Sequence, residues 1–324
     1  MDEATARAAC REAFPEATVR SLSVTGTGNV KRSFDATLAR EGRSERVVVQ
    51  LYPDVARLRA EAALLRAIAG GTDVPVPAVR AVGRVSEAGY LVTDHVAGVD
   101  LHRRFSDLAP DDQRSVVRTF GRALGDLHGA FTFEGFGRLV DRGGSLVVAD
   151  PATDWPTYLR SLVDEGLDRL APSLADLRDP VREAVAEARS AGRLPAAPPA
   201  ALYPWDLRPG NALYDGGGVT AFLDWGDPRT AHAEFSLAKV EYLVADWYAG
   251  GDRAESLRGA FYDGYREASS VDPAYWVERR RLYRMGAVVL SAMDSQGRVT
   301  RPRYPMVPPD EAAALHRDAV ESLL

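Results

Sequence analysis

The sequence changes character near Gly98, and this change limits what the chain can fold into. After a short helical segment at 2–14, the residues up to this point alternate apolar and polar side chains, as β-strands do, around one longer stretch of helical spacing. Beyond it, long segments of helical spacing follow one another. We therefore predict an α+β protein with two lobes, a small antiparallel sheet with one bracing helix at 1–95 and a larger, mainly helical lobe at 96–324.

The first lobe is predicted to contain a sheet and a helix. The helix begins after Pro53-Asp54, because apolar residues recur there every three or four positions, and Gly70-Gly71 ends it. A hinge at about 93–98 joins the two lobes. Strands are predicted at 19–40, with a turn at Gly26 and Gly28, at 45–52 and at 77–96.

The second lobe is predicted to contain helices and one hairpin. The hairpin falls in a strand-rich stretch between 202 and 225, where Asp215 and three glycines are typical of a turn. Helices are predicted at 110–130, 155–170, 174–192, 233–249, 252–268, 273–293 and 309–323.

The composition excludes several classes of protein. Hydrophobic residues make up 46% and charged residues 27% of the chain, as in an ordinary globular protein. The net charge of −6 argues against a nucleic-acid partner, since there is no basic excess to neutralise phosphates. Cys10 is the single cysteine and cannot form an internal disulfide. No basic leader followed by an apolar run opens the chain, and no run approaches the roughly 20 apolar residues of a membrane span. We predict a cytoplasmic protein without a membrane partner, whose oligomeric state the sequence does not indicate.

A set of polar residues in and after the segment "YPWDLRPGN" at 203–211 is typical of phosphoryl transfer. This chemistry needs a carboxylate that takes the proton of the attacking hydroxyl, and oxygen ligands for magnesium. Asp206 is the candidate base, Asn211 and Asp224 are the candidate metal ligands, and Arg208 is placed beside the transferred phosphate. Taken singly, each residue has a structural alternative as a turn former or a helix cap, but their order and spacing favour the catalytic interpretation.

The whole segment "WDLRPGNALYDGGGVTAFLDWGD" resembles the catalytic segment of the aminoglycoside phosphotransferase family, small-molecule kinases that share the protein-kinase fold. Four other segments match the family in order and extend the resemblance over residues of about 20 to 245: "GTGNVKRSF" in the nucleotide-binding loop, "RLRAEAALLRAI" in the helix of a bracing glutamate, "YLVTDHVAGVDL" in the hinge, and "ALGDLHGA" in a later helix. The resemblance implies ATP as the phosphoryl donor, Mg²⁺, and a hydroxyl group of a small molecule as the acceptor.

The resemblance also implies a set of nucleotide-binding residues. Two glycines of the predicted turn correspond to the loop that covers the phosphates, and the end of the third strand corresponds to the position of a phosphate-binding cation. The adenine is expected near Val48 and the hinge. The residues implied are Gly26, Gly28, Lys31, Val48, Gln50, Glu61, Thr93, Asp94, His95 and Val96.

The chain departs from the family at the phosphate-binding cation, because Gln50 stands where a Lys or Arg is usual. Glu61 matches the bracing glutamate and lies on the apolar stripe of its helix, so it needs a cation to pair with. Lys31, one of only two lysines among the 40 basic residues, is the candidate, and its position resembles that of the with-no-lysine protein kinases. The alternatives are that Lys31 lies in a solvated turn, or that Arg46, on the strand face of Gln50, supplies the cation.

Two further departures flank the candidate base. Pro204-Trp205 replaces the His-Gly that the family usually has before this aspartate, and Ser236 replaces an Asp that secures the loop, with Glu234 two residues earlier. We predict an ATP-dependent kinase of a small hydroxyl compound similar to an aminoglycoside, a sugar or an amino alcohol. The alternative is a nucleotide-binding pseudokinase with a scaffold or regulatory role, and GTP stays open as the donor. Asp227, Glu234 and Asp246 are candidates for lining the acceptor site.

Overall fold

A computed structural model describes residues 1–25, 31–302 and 306–324. The predicted nucleotide-loop residues Gly26 and Gly28 lie outside these ranges. The described chain combines antiparallel sheets with helices, which confirms the predicted α+β class. It divides into two compact units: the first comprises 1–99, 138–149 and 213–228, and the second comprises 100–137, 150–212 and 229–324. The division into lobes at 95 and 96 stays a prediction.

The strands follow one another along the described chain in short runs. They are β1 (Thr18–Val24), β2 (Arg32–Arg40), β3 (Arg43–Tyr52), β4 (Val79–Val85), β5 (Ala88–Asp94), β6 (Val99–Asp100), β7 (Thr132–Phe133), β8 (Phe136–Arg142), β9 (Ser145–Ala152), β10 (Ala200–Tyr203), β11 (Ala212–Tyr214), β12 (Val219–Phe222) and β13 (Arg229–His232).

The α-helices lie mostly in the second unit. They are α1 (Glu3–Ala13), α2 (Val55–Gly71), α3 (Leu101–Phe105), α4 (Pro110–Ala130), α5 (Trp155–Arg169), α6 (Arg178–Ser190), α7 (Ala233–Glu241), α8 (Gly251–Ala268), α9 (Arg280–Ser291) and α10 (Pro309–Glu321). Short 3₁₀ turns cover Pro172–Leu177 and Pro209–Asn211, and π-helical turns cover Tyr242–Asp246 and Tyr275–Arg279. Within the described residues, none of these helices has the length and apolar character needed to cross a membrane.

The first unit is built on a five-stranded antiparallel sheet with the order β1-β2-β3-β5-β4. Side chains of β3 alternate, so that Val47, Val49 and Leu51 are fully buried while Val48 and Gln50 on the opposite face are half-buried. The buried face packs against α1 and forms the core of the sheet. Val48 and Gln50 therefore face away from this core, as the predicted nucleotide contacts require.

Helix α2 begins where the sequence predicts. The Asp54 carboxylate accepts hydrogen bonds from the backbone N–H groups of Ala56 and Arg57, which satisfies donors that a helix start leaves unpaired. Apolar side chains between Leu58 and Ile68 are buried, and Glu61 is buried among them with 3% of its surface exposed. The helix thus carries one carboxylate into the interior of the unit.

The hairpin of β11 and β12 delivers Asp224. The Asp215 carboxylate accepts hydrogen bonds from the N–H groups of Gly217 and Gly218 and so closes the predicted turn. Phe222, at the end of β12, donates its N–H to the carbonyl of Pro75, which ties the hairpin to the rest of the unit. Asp224 follows with φ of 57°, an uncommon conformation for a residue with a side chain.

Two long helices of the second unit, α4 and α8, cross at two glycines. A Cβ atom on Gly121 would lie 1.9 Å from the carbonyl oxygen of Phe261, and one on Gly264 would lie 2.0 Å from that of Arg118. No other residue type fits this close approach of the two backbones. The sequence predicts the bounds of these two helices closely.

The strand pair of β10 and β13 positions the loop that follows β10. The two strands are antiparallel, with Tyr203 opposite Arg229. Helix α7 begins directly after β13 and packs against β10. The predicted helix at 233–249 is α-helical only to Glu241 and continues as the π-helical turn Tyr242–Asp246. Nearly every residue here is buried, so the apolar pattern has no period that would distinguish the two helix types.

Candidate active site

In the first unit, Lys31, Glu61 and Asp224 form an ion cluster, which we call the Lys31 cluster. The Lys31 ammonium donates hydrogen bonds to Glu61 Oε1 at 2.7 Å and Oε2 at 2.9 Å, and lies 2.9 Å from Asp224 Oδ1. The side chains of Lys31 and Glu61 are 13% and 4% exposed, whereas that of Asp224 is 54% exposed. Lys31 is therefore not in a solvated turn, and the predicted pairing with Glu61 is present.

The charges of the Lys31 cluster keep the lysine protonated. Burial alone would lower the pKa of Lys31, but the negative charges of Glu61 and Asp224 outweigh it and raise the pKa above its usual value. Burial raises the pKa of Glu61, while Lys31 and the backbone N–H of Trp225 oppose that rise. A buried carboxylate that binds an ammonium with both oxygens orients it closely. The cluster therefore presents a fixed positive charge beside the exposed carboxylate of Asp224.

Gly226 makes room for the Lys31 cluster. A Cβ atom at this position would lie 3.3 Å from Lys31 Nζ, 3.5 Å from Glu61 Oε2 and 3.6 Å from Asp224 Oδ1. The space that the Lys31 ammonium occupies thus explains the glycine in "LDWGD", because any side chain at position 226 would crowd this ammonium.

The alternative cation, Arg46, is engaged elsewhere. Its guanidinium pairs with Asp35 on the neighbouring strand β2, and its side chain is 54% exposed. Gln50, the residue at the family's cation position, lies opposite Ser33 of β2 and Leu91 of β5. The geometry of the first unit therefore favours Lys31 over Arg46 as the cation that Glu61 holds.

The predicted hinge residues continue the sheet. Thr93 is buried and lies opposite Val48 in the register of β3 and β5. The N–H of Asp94 donates to the carbonyl of Ala78, and that of His95 donates to the carbonyl of Arg46. Val96 follows and is half-buried. Their contact with an adenine stays a prediction.

In the second unit, Asp206 is fixed by two residues of its own loop, 204–211, which we call the Asp206 loop. Arg208 donates from Nε to Asp206 Oδ1 at 2.7 Å. The Asn211 amide donates to Asp206 Oδ2 at 2.8 Å and to the Asp206 carbonyl at 2.9 Å. The Asp206 side chain remains 35% exposed, so the carboxylate is held in one orientation and is still accessible.

The surroundings keep Asp206 ionised. Burial alone would raise the pKa of Asp206, but the charge and hydrogen bond of Arg208, the charge of Lys239 and the hydrogen bond of Asn211 lower it below its usual value. Arg208 itself packs with its guanidinium 5.2 Å from the centre of the Trp247 ring. At neutral pH the loop thus offers an oriented carboxylate that can accept a proton.

Each unit offers one side-chain oxygen of the kind that suits a hard divalent cation. Both amide hydrogens of Asn211 that could repel a cation are directed at Asp206, which leaves its Oδ1 as the atom available to a metal. Asp224 contributes an exposed carboxylate of which Oδ1 contacts Lys31. Amide and carboxylate oxygens suit Mg²⁺, which keeps several of its waters and needs few protein ligands. Within the described ranges, no group of three or more His, Cys, Asp and Glu residues forms a metal site.

The sequence analysis did not identify two residues beside the Asp206 loop, Arg229 and Lys239. Trp205 contacts Arg229 of β13 and Lys239 of α7, whose cationic groups lie 4.7 and 4.0 Å from the centre of its ring. The signal for Lys239 was available: it is one of two lysines in an arginine-rich chain, and it lies within an apolar run. Ser236, which replaces the Asp that secures the loop in the family, has a buried hydroxyl without a partner among the described residues, and the nearby Glu234 binds Arg279.

The three acids proposed for an acceptor site each bind an arginine. Asp227 lies 2.8 Å from Arg138 in the first unit. In the second unit Glu234 forms two hydrogen bonds with Arg279, and Asp246 lies 3.2 Å from both Arg258 and Arg284. Each of these carboxylates is therefore already paired with a positive charge, and their contact with an acceptor stays a prediction.

Known proteins resemble this chain in sequence pattern and in fold. A sequence model of the phosphotransferase enzyme family, APH, matches residues 29–278. No curated protein matches the chain in sequence. The solved structure of the aminoglycoside phosphotransferase APH(4)-Ia has a TM-score of 0.65 and 18% identity, covering 99% of this chain and 98% of that one.

Two further solved structures share the fold. One is a thermostable mutant of APH(4)-Ia in a ternary complex with AMP-PNP and hygromycin B, with a TM-score of 0.65, 18% identity and coverage of 97% and 95%. The other is a candidate fructosamine-3-kinase from Haemophilus somnus 129PT, with a TM-score of 0.61, 15% identity and coverage of 97% and 95%. These matches confirm the predicted protein-kinase-like fold.

Proposed function

This chain belongs to the phosphotransferase enzyme family, and on that premise we propose that it transfers the γ-phosphoryl group of ATP to a hydroxyl group of a small molecule. The observation that carries the proposal is the Asp206 carboxylate, which Arg208 and Asn211 fix in one orientation while leaving it accessible and ionised. A base held in this way is what the attacking hydroxyl needs.

The Lys31 cluster is proposed to bind the phosphates of the nucleotide. Its ammonium is protonated and held by Glu61, and it replaces the cation that Gln50 cannot supply. Asn211 and Asp224 would hold Mg²⁺, which when bound neutralises charge on the phosphates. Val48 and the residues from Thr93 to Val96 would contact the adenine.

The chemical step follows from these assignments. The acceptor oxygen forms a bond to the γ-phosphorus while the bond from that phosphorus to the β,γ-bridging oxygen breaks, and ADP leaves. The hydroxyl proton passes to the carboxylate of Asp206. Arg208, whose guanidinium already lies beside this carboxylate, would stabilise the charge on the transferred group.

The nature of the acceptor is proposed only as a class. One structure of similar fold holds AMP-PNP together with hygromycin B, and another belongs to a candidate fructosamine-3-kinase, which supports a nucleotide and a hydroxyl-bearing small molecule as ligands. Aminoglycosides, sugars, amino alcohols and ketosamines are therefore the compounds to test. A cytoplasmic location, where ATP is present, is proposed with this function.

The test compares the wild-type protein with Asp206→Asn, which keeps the size of the side chain and removes the base. MgATP binding is followed by calorimetry, and ADP release is measured against a panel of the four acceptor classes. We expect Asp206→Asn to bind MgATP as the wild type does and to lose phosphoryl transfer by a factor of about 10² or more. Asp179→Asn, a substitution at a side chain that is 89% exposed, is the control and should change neither property.

Other outcomes would favour the alternatives. If the wild type binds MgATP but releases ADP with no acceptor of the panel, the pseudokinase alternative becomes the better account. If GTP binds and turns over in place of ATP, the donor assignment is wrong while the phosphotransferase assignment holds. Unchanged turnover in Asp206→Asn would remove Asp206 as the base.

A further inference from the structure

The residue before Asp206 is a tryptophan whose ring is contacted by two cations. The guanidinium carbon of Arg229 lies 4.7 Å from the centre of the Trp205 ring, and the ammonium nitrogen of Lys239 lies 4.0 Å from it. We call these three residues the Trp205 cluster. Only 14% of the Arg229 side chain and 2% of Lys239 are exposed. Aromatic faces attract cations, and more strongly where water is excluded, so these contacts hold the ring.

Each member of the Trp205 cluster belongs to a different element. Trp205 follows β10, and Arg229 lies on β13 opposite Tyr203. Arg229 also donates a hydrogen bond to Glu165 of α5 at 3.1 Å. Lys239 comes from α7, and its ammonium also lies 5.7 Å from the centre of the Tyr203 ring. The cluster therefore joins the start of the Asp206 loop to a strand and to a helix.

The choice of lysine at position 239 is unusual for this chain. Of the 40 basic residues, Lys31 and Lys239 are the two lysines. The Lys239 ammonium has no carboxylate oxygen within 4.0 Å among the described residues, and a buried ammonium without such a partner destabilises a fold. If position 239 had only a structural role, an apolar side chain would be more stable here, so the presence of a lysine requires another explanation.

Lys239 also differs from an arginine in that it can lose its proton. Burial is the main cause that lowers the pKa of Lys239; Asp206 opposes it and the charges of Arg169, Arg229 and Arg208 add to it, with a net pKa of about 7. An arginine at the same position would stay charged over the whole accessible pH range. The side chain of Lys239 that contacts Trp205 therefore loses its positive charge as the pH rises through about 7.

We propose that Lys239 and Arg229 are positioning residues, which hold Trp205 and thereby fix the carboxylate of the adjacent Asp206 for phosphoryl transfer. The proposal rests on the function proposed above. Trp205 and Asp206 are joined by one peptide bond, so a shift of the ring moves the carboxylate. A displacement of about 1 Å in a catalytic group can lower a rate by a factor of about 10². The Trp205 cluster stands where the chain departs from its family, at Pro204-Trp205.

The first test separates catalytic rate from stability. Lys239→Met keeps the length of the side chain and removes its charge. We expect kcat to fall by about tenfold or more, with both KM values changed by less than about twofold, because Lys239 is buried and is not among the residues proposed to bind a substrate. The Tm at pH 7 should rise, since a buried ammonium is removed. A changed Tm with an unchanged kcat would overturn the positioning role.

The second test uses the pH dependence of kcat. The charged or titratable groups that face Lys239 are Asp206 and Arg208 of the loop, Tyr203 of β10, Arg229 of β13 and Arg169 of α5. We expect the kcat of the wild type to decline as the pH rises above about 7, where Lys239 loses its proton. In Lys239→Arg the decline should move to higher pH. Identical profiles for the two proteins would contradict the proposal.

A matched control exists elsewhere in the second unit. Trp276 is contacted by Arg266 and Arg280, whose guanidinium carbons lie 5.5 and 5.7 Å from the centre of its ring. Trp205→Phe weakens the attraction to cations and should lower kcat, whereas Trp276→Phe makes the same change in another cation–aromatic group and should not. Equal effects of the two substitutions would argue for a general loss of stability.

Indole fluorescence distinguishes a failure of this proposal from a failure of the proposed function. The difference in emission between the wild type and Trp205→Phe should titrate with a midpoint near 7, as Lys239 changes charge, and the same difference measured in a Lys239→Met background should not titrate. A wild type that titrates but transfers no phosphoryl group would remove the function and the positioning role with it. A wild type that transfers the group but shows no titration would leave the function and overturn the role of Lys239.

Discussion

Lys31 donates hydrogen bonds from its ammonium to both carboxylate oxygens of Glu61, at 2.7 and 2.9 Å. The two residues are 30 positions apart, on the segment before β2 and on α2. The buried carboxylate of Glu61 needs a cation, and its two oxygens hold the Lys31 ammonium in one orientation, as the proposed contact with phosphates requires. Asp224 touches the same ammonium at 2.9 Å, so the pair is joined to a proposed metal ligand.

The Lys31–Glu61 pair gives the first prediction. Lys31→Met should lower kcat/KM for ATP by a factor of about 10² or more, because the positive charge that is proposed to bind the phosphates is lost. It should also lower the free energy of unfolding by about 3–5 kcal/mol, since Glu61 is left buried and unpaired. Turnover measurements and denaturant unfolding check the two effects.

The double variant Lys31→Met/Glu61→Leu separates the two effects of the first prediction. Replacing a buried ion pair by apolar residues of similar size is often close to neutral, so the double variant should regain stability without regaining turnover. Arg46→Ala, at a 54% exposed side chain, is the control and should leave nucleotide affinity unchanged. The cation is wrongly assigned if Arg46→Ala abolishes nucleotide binding and Lys31→Met does not.

Gly226 gives the second prediction. In Gly226→Ala the new methyl group would lie 3.3 Å from Lys31 Nζ and displace the ammonium by a few tenths of an ångström. We expect kcat/KM for ATP to fall by about tenfold, with a change in Tm of less than about 3 °C, because the crowding concerns a polar cluster and not the core. Gly218→Ala, where a Cβ meets nothing within 4 Å, is the matched control for steady-state kinetics and melting curves.

Much of the fold could be predicted because local pattern and tertiary context agree. Helix α4 at Pro110–Ala130 is amphipathic and well bounded, and both ends agree with the sequence prediction. The hairpin of β8 and β9 was not predicted, because few of its side chains are buried and the alternation is weak. The predicted helix at 174–192 includes most of the 3₁₀ turn Pro172–Leu177, because the turn and the helix that follows it both have apolar residues at helical spacing.

The candidate site could be predicted where a buried charged residue required a partner of opposite charge and the sequence offered a candidate. Glu61 lies on an apolar stripe and needs a cation, which made Lys31 the candidate. The contacts of Trp205 with Arg229 and Lys239 could not be derived, because they join three elements that are distant in sequence and depend on the packing of α7 against β10. Cation–aromatic contacts have no spacing rule along the chain.

The third prediction concerns metal dependence. Removal of divalent cations with EDTA should abolish phosphoryl transfer, and Mg²⁺ should restore it. Asp224→Asn keeps the size of the side chain and removes its charge, so the Mg²⁺ concentration for half-maximal activity should rise by about tenfold. Asp215→Asn, in the turn of the same hairpin, is the control, because an amide oxygen can still accept the hydrogen bonds from Gly217 and Gly218. An unchanged Mg²⁺ requirement in Asp224→Asn would rule it out as a metal ligand.

The fourth prediction concerns stability in acid. Burial lowers the pKa values of His128 and His232 to about 3, so both stay neutral in the folded protein, while in the unfolded chain they gain a proton below about 6.5. The unfolded state then binds more protons, so each histidine's contribution to stability is complete above about pH 6.5 and is lost as the pH falls towards 3, at up to about 1.4 kcal/mol per pH unit.

Urea unfolding from pH 7 to 4.5 should show this slope in the free energy of unfolding. His128→Phe, which also loses the hydrogen bond to Tyr265, should be less stable at pH 7 but lose stability less steeply as the pH falls. Equal slopes in the two proteins would show that other groups cause the acid sensitivity.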